Sequence, residues 1–309
     1  MDFTPNPFIN RGVITNPDDF FGREDQINEI ITRLHTMQSS SIVGERRIGK
    51  SSLLYHLGQT GTQRIGDANY RFFYADLQAA HFHTAIGFFQ AILTKLGVSA
   101  DVIKHDNTLN RNLIAFTDQI EVLEQSGQRI VLCLDEFEDT FKHPEQFTED
   151  FFDHMRSQLN MRKLAFVTAT QRTLQSLSLE GKLTSPFYNV FTVVELKGFT
   201  ETEAVEFLAA YHRKVQFTDA ELDFIFRSFD RHPLKLQILC DWVIKNRQRL
   251  LSDEVLAEEI AKEYGNFFVG KFDPKKLLKM KKAFSLDALK KLFETLKAGR
   301  DVFKGPKEK

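Results

Sequence analysis

The sequence predicts an α/β fold: three layers around a five-stranded, mainly parallel sheet, followed by a small helical domain. Three observations carry this expectation. Strand-like and helix-like segments alternate through about the first 195 residues. The run "RIVLCLDE", residues 129–136, is apolar up to a closing pair of acids, as suits a strand buried on both faces of a parallel sheet. The stretch "SSIVGERRIGKSSLLYHL", residues 40–57, sets an apolar strand, a glycine-bounded loop and a helix in immediate succession.

Residues 1–20 hold three prolines and little periodicity, so they read as an extended N-terminal arm. A helix begins near Glu24, with Ile27, Ile30, Ile31 and Leu34 as its apolar stripe. The first strand ends at Gly44, and the helix after it carries Leu53, Leu54 and Leu57 at packing spacings. A second strand covers about 70–77, and helices are expected over 83–97 and 108–126. "RIVLCLDE" is the third strand, a helix follows over about 147–160, and "KLAFVTAT" and "VFTVVELKG" are the fourth and fifth strands. These elements make one domain, residues 21–198.

The pattern changes after Gly198. "FTETEAVEFLAAYHRK" opens with a threonine cap at Thr200 and acids in the first turn. "TDAELDFIFRSF", "HPLKLQILCDWVIKN" and "LSDEVLAEEIAKEY" follow as further helices, so residues 199–267 form a helical domain. Residues 268–309 read as a basic amphipathic helical tail with a disordered end. Within 271–309 thirteen Lys or Arg stand against five Asp or Glu. Such a tail can dock on the body with its lysines in water, or hold a protein, a nucleic acid or a membrane surface.

The totals exclude several classes. With 41 Lys and Arg against 42 Asp and Glu, the whole chain has no charge suited to a polyanion. No apolar run is long enough to cross a membrane, and the N-terminal residues lack a secretory signal pattern, so a cytoplasmic location is expected. Cys133 and Cys240 lie in apolar runs and read as buried, unpaired thiols.

Residues Gly44 to Ser51 fit G-x-x-x-x-G-K-[ST] in full. The loop residues Gly44, Glu45, Arg46, Arg47, Ile48 and Gly49, with Lys50, Ser51 and Ser52 opening a helix, suit the phosphates of a nucleotide. Lys50 is the expected ligand of the β- and γ-phosphates, and Ser51 of Mg²⁺. The competing reading is a tight strand-to-helix turn with an exposed lysine. Asp135, at a strand end, can hold Mg²⁺, and Glu136 can polarise the attacking water; an acid pair there can also be a solvated cap. Glu138 reads as a surface or supporting group. Thr168 and Thr170 are candidates to sense the γ-phosphate, with Thr170 preferred, although β-branched residues also simply suit strands. Arg172 reads as a phosphate ligand or a surface charge. Arg46 and Arg47 are expected to point away from the phosphates and to bridge to the arm or to a neighbouring subunit.

The chain resembles P-loop ATPases of the AAA+ superfamily, in particular the STAND-like and archaeal-type ATPases. The resemblance spans about residues 7–265 and is carried by "NPF", "FFGRE", "GERRIGKSSLL", "LDEFE", "SPFYNVF", "LKGFTETEA" and "HPLKLQ", in that order. It implies the strand order 5-1-4-3-2. It also implies that Phe21, Gly22 and Arg23 lie at the adenine side, and that Pro233, otherwise a first-turn helix proline, packs near the base. The chain departs from ring-forming relatives in having no arginine beside "SPFYNVF". Arg231 could reach the phosphates from the helical domain or stand exposed.

The resemblance implies ATP or ADP with Mg²⁺, and slow hydrolysis of ATP coupled to lid movement and partner binding. The alternatives are a nucleotide-held switch or scaffold with negligible hydrolysis, and a DNA-associated ATPase. The expected partner is an unidentified protein. Nucleotide-dependent self-association is open, and nucleic acid is less favoured.

Overall fold

Five strands form one sheet: β1 Ser39–Val43, β2 Tyr70–Asp76, β3 Arg129–Asp135, β4 Leu164–Thr170 and β5 Phe191–Glu195. The computed structural model describes residues 6–9, 11–98, 108–227 and 231–247, and positions 262, 291 and 294. The strand order is β2-β3-β4-β1-β5, the expected 5-1-4-3-2 taken from the other edge. Every neighbouring pair is parallel. Parallel neighbours need long crossovers, and these deliver helices to both faces of the sheet.

The helices are α1 Glu24–Leu34, α2 Lys50–Ile65, α3 Ala85–Lys95, α4 Leu109–Gln125, α5 Glu149–Asn160 and α6 Leu174–Glu180. Strand β3 shows how the two faces are filled. Val131 and Cys133 pack with the stripes of α1 and α2, among them Ile27, Ile30, Leu53 and Leu57. Ile130, Leu132 and Leu134 pack instead with Phe88, Phe89, Phe116 and Phe151 of α3, α4 and α5. Alternation at period two sends consecutive apolar residues to opposite cores. A run apolar at every position is therefore what a strand between two helical layers requires. Helix α3 starts at its cap: Thr84 accepts the Gly87 N–H through its side chain.

The helical domain contains α7 Glu201–Val215, α8 Asp219–Arg227 and α9 Pro233–Lys245. Helix α7 opens with a capping box in which Thr200 and Glu203 satisfy each other's backbone N–H groups. The expected helix over 251–264 and the basic tail lie outside the described residues, apart from isolated positions. Cys133 and Cys240 are both buried and unpaired, and burial pushes both thiols up. Among the described residues no helix is long and apolar enough to cross a membrane.

The N-terminal arm folds back onto the helical domain. A 3-10 turn at Pro7–Ile9 inserts Phe8, fully buried, against the rings of Phe207, Tyr211 and Phe217. Asp241 of α9 is buried, which would be costly for an unpaired carboxylate. Asn6 donates to it at 2.6 Å and Arg11 at 2.9 Å, so the arm supplies two of its partners. The arm then crosses to the other domain, where the Ile14 N–H donates to Ser52 Oγ at 3.0 Å and Phe20 stacks on His56 of α2 at 4.3 Å.

Two outcomes follow from this packing. Phe8→Ala should cost about 3 kcal/mol, the range for emptying a buried aromatic site. Trp242, the single tryptophan, lies in the same core and reports the loss as a lower denaturant midpoint. His56 is held below the ordinary histidine value by burial and by Arg64, against Glu24. Its contribution to stability is present above about pH 6.5 and lost as pH falls through the lower folded value. The thermal midpoint of His56→Phe should therefore gain on wild type between about pH 8 and about pH 5. A gap that does not change with pH contradicts the assignment.

Candidate functional site

The site begins where β1 runs out. A Cβ on Gly44 would meet the Leu196 carbonyl oxygen at 2.6 Å, so the chain can turn there only as glycine. Arg47 and Gly49 take left-handed backbone, with φ 63° and 104°, and α2 starts at Lys50. The first N–H groups of a helix have no partner within it and carry partial positive charge, so this turn presents donors to an anion.

The sheet brings β3 to the same place. Its last residue, Asp135, is 3% exposed. The Tyr74 phenol and the Glu136 N–H donate to this carboxylate, each at 3.0 Å. Burial raises the pKa of Asp135, and the nearby Ser51 hydroxyl, Tyr74 and the Glu136 N–H oppose the rise. Glu136 follows in left-handed backbone, φ 50°, which turns the chain sharply off the strand. Burial, then Glu138 and Asp135, push the Glu136 carboxyl up to about 7, with Lys50 opposing.

Lys50 donates to the carbonyls of Gly44 at 2.8 Å and Glu45 at 3.0 Å. Its ammonium is surrounded by Glu138, Glu136, Asp135 and Glu45, yet burial outweighs them and lowers its pKa. A desolvated lysine among acids retains little hydration and interacts strongly with any anion that reaches it.

Lys50 and Glu136 border a cavity of about 320 Å³, a volume in the range of small-molecule sites. Arg46, Arg47, Ile48, Gly49, Lys50, Ser51, Ser52 and Glu136 line it from the sheet domain. Phe207, Tyr211, Pro233, Leu234 and Gln237 line it from the helical domain, and Gly12, Val13 and Ile14 from the arm. Phe21 lines it too, its ring 5.7 Å from Phe207 and 5.5 Å from Tyr211.

Arg23 braces this arrangement from below. It is 3% exposed and takes left-handed backbone, φ 73°. Its guanidinium donates to the Lys197 carbonyl at 2.7 Å and the Ile48 carbonyl at 3.0 Å, and lies over the Phe199 ring at 4.8 Å. Its backbone N–H donates to Glu203 of α7, against which Gly22 also packs. One residue thus ties the phosphate loop, the end of β5 and the helical domain together.

The sequence candidates divide by position. Lys50, Ser51, Asp135 and Glu136 come together; Glu45 is exposed at the loop and faces His232 of the helical domain at 3.8 Å. Pro233 is both a first-turn proline and part of the cavity wall. Thr170 is fully buried and donates to the Arg172 carbonyl at 2.7 Å, and its side chain does not line the cavity. Arg172 pairs with Glu180 at the surface. Arg231 is exposed, and its carbonyl accepts the Phe199 N–H at 2.7 Å. Glu138 is half-buried and accepts the Gln171 N–H at 3.1 Å.

Gln171 lines the cavity beside Glu136 and was not among the sequence candidates. Gly12, Val13, Ile14, Phe207, Tyr211 and Gln237 were not either. Only a polar residue just past a strand end could have pointed to Gln171. The others join the site through the folding of the arm and the helical domain.

The donor set suits magnesium. Ser51 and Asp135 offer oxygen, the ligand this cation prefers. Among the described residues no group of three or more His, Cys, Asp or Glu is placed to hold a metal. Mg²⁺ typically keeps waters and substrate phosphates in its shell, so one carboxylate and one hydroxyl are sufficient protein ligands.

A parallel sheet of this order, a glycine-bounded anion loop after β1 and an acid pair after β3 define an AAA+-like P-loop nucleoside triphosphatase. The sequence matches the family described as Novel STAND NTPase 2 over residues 29–266, and the chain belongs to that family. In fold it is similar to a Walker-type ATPase of Pyrococcus abyssi, with TM-score 0.56 and 18% identity, covering 84% of this chain and 79% of that one. It is also similar to the ORC2 protein of Aeropyrum pernix in its ADPNP–ADP structure, with TM-score 0.55 and 11% identity, covering 95% and 97%. Among curated proteins no match is found.

Arg23→Lys tests the brace. Lysine keeps the charge but cannot reproduce the two-armed fork. Loss of about 2 kcal/mol is expected, the range for hydrogen bonds from a charged group. Denaturant unfolding measures it, and wild-type stability would rule the brace out.

Proposed function

We propose that the protein binds ATP with Mg²⁺ in this cavity and hydrolyses it slowly to ADP and phosphate. The observation that carries this is that Lys50, Ser51 and Glu136 line one cavity wall, with Asp135 behind it accepting the Glu136 N–H. Lys50 and the loop N–H groups stabilise charge on the phosphates, and Ser51 and Asp135 would hold the metal. Magnesium bound there supplies charge neutralisation on the phosphate oxygens. Glu136 orients the water that attacks the terminal phosphorus while the bond to the ADP oxygen breaks, and can take its proton. Adenine is favoured by the resemblance to AAA+ ATPases. The ADPNP and ADP in the Aeropyrum pernix ORC2 structure support it.

Three links between the sheet and helical domains support coupling of nucleotide state to lid position: Arg23 to Glu203, His232 to Glu45, and the arm to Asp241. A lid that moves can present or withdraw a surface for a protein partner or a second copy of the chain. The same links favour a second reading, in which nucleotide is held for long periods and scarcely turned over.

Two variants separate the readings. Lys50→Ala should weaken binding of a fluorescent ATP analogue at least about tenfold, the loss of a charged phosphate contact. Glu136→Gln should bind as wild type does and release phosphate about a hundredfold more slowly. Wild-type release no faster than that of Glu136→Gln leaves the long-held nucleotide as the function.

A further inference from the structure

Tyr74 stands on β2, the edge strand beyond β3, and its sequence context marks it only as one aromatic in "YRFFYAD". The register pairs Tyr74 with Cys133 and Asp76 with Asp135, which sets the phenol just below the end of β3. There it donates to Oδ2 of Asp135 at 3.0 Å, while the Glu136 N–H donates to Oδ1 at 3.0 Å. The terminal torsion of an aspartate is soft and roughly two-fold. One donor would leave the carboxylate free to swing; donors on separate oxygens fix its plane.

The ring is held as closely as the hydroxyl. Tyr55 of α2 meets it edge-on at 5.3 Å. Gly58, in the middle of α2, makes room for it: a Cβ there would lie 3.0 Å from the Tyr74 Cβ. Glycine in a helix interior costs about 0.5–1 kcal/mol relative to alanine. The helix carries that cost where the tyrosine must come close.

We infer that Tyr74 is a positioning residue for the magnesium site, aiming the Asp135 carboxylate at the cation shared with Ser51. The role rests on Asp135 being the magnesium holder. It adds a function for a residue that does not line the cavity. Groups that orient a metal ligand in this way change metal affinity about 10- to 100-fold when removed.

Tyr74→Phe removes the hydroxyl and keeps the ring on Gly58 and Tyr55. Mn²⁺ binding in the presence of saturating ADP, followed by loss of the free-ion paramagnetic resonance signal, should weaken at least about tenfold. ADP affinity measured in chelator should not change, and a melting curve verifies that the variant is folded at the titration temperature. Mn²⁺ affinity equal to wild type overturns the inference. In an Asp135→Asn background the added Tyr74→Phe change should have no further effect; a full additional loss means the phenol acts elsewhere, and also overturns it. If Asp135→Asn binds Mn²⁺ as wild type does, the assignment of Asp135 as metal holder fails, and the role of Tyr74 fails with it.

Discussion

Everything at the site depends on one buried carboxylate. Asp135 ends a strand buried from Ile130 onward, where a negative charge is stable only if donors surround it. Tyr74 and the Glu136 N–H provide those donors from β2 and the turn after β3, and the Ser51 hydroxyl at the start of α2 lies near enough to favour the charge. Asp135 thus gathers the ends of β2 and β3 and the start of α2 around one carboxylate, although β4 lies between β1 and β3 in the sheet.

A second constraint governs the acids around Lys50. Glu138 and Asp135 both raise the pKa of Glu136, and burial raises all three carboxyls. Lys50 is the cation among them, itself desolvated. Charge is thus concentrated in a low-dielectric site and fixed by backbone contacts, as with Lys50 on the Gly44 and Glu45 carbonyls. Preorganised charge of this kind is what phosphoryl chemistry draws on. Glu138 extends the arrangement by holding the backbone of Gln171, which brings the end of β4 to the cavity.

The helical domain and the arm close the other side by aromatic packing and braced ions. Phe8 joins Phe207, Tyr211 and Phe217 in a ring cluster, and Asp241 draws in Asn6 and Arg11. Arg23 then links that domain to the loop through Ile48 and Glu203. These are few but buried contacts, so their loss is felt at both the cavity and the domain junction.

Much of this was legible in the chain. Apolar runs and helical patterns marked the five strands and the described helices except α6, because burial on one or two faces dictates which residue types a segment can hold. The glycine spacing around Lys50 and the acids closing "RIVLCLDE" marked residues that the fold brings to one candidate site, because a tight anion loop and a strand-end acid pair restrict residue choice locally. The arm looked extended because isolated apolar residues such as Phe8 have no periodicity, and its partners lie more than 190 residues away on α7 and beyond. Thr170 and Gln171 are neighbours, and the chain alone did not separate the buried hydroxyl from the side chain at the cavity. Tyr74 was one aromatic among several. The alternation, the anion loop and the acid pair could be read from the chain alone, since each is written in local residue types. That Tyr74 and the Glu136 N–H share one carboxylate, that Arg23 joins the loop to the helical domain and that the arm lines the cavity came only from the folded arrangement. Those contacts are set by parallel crossovers and by the need to satisfy buried polar groups, and neither leaves a local signature.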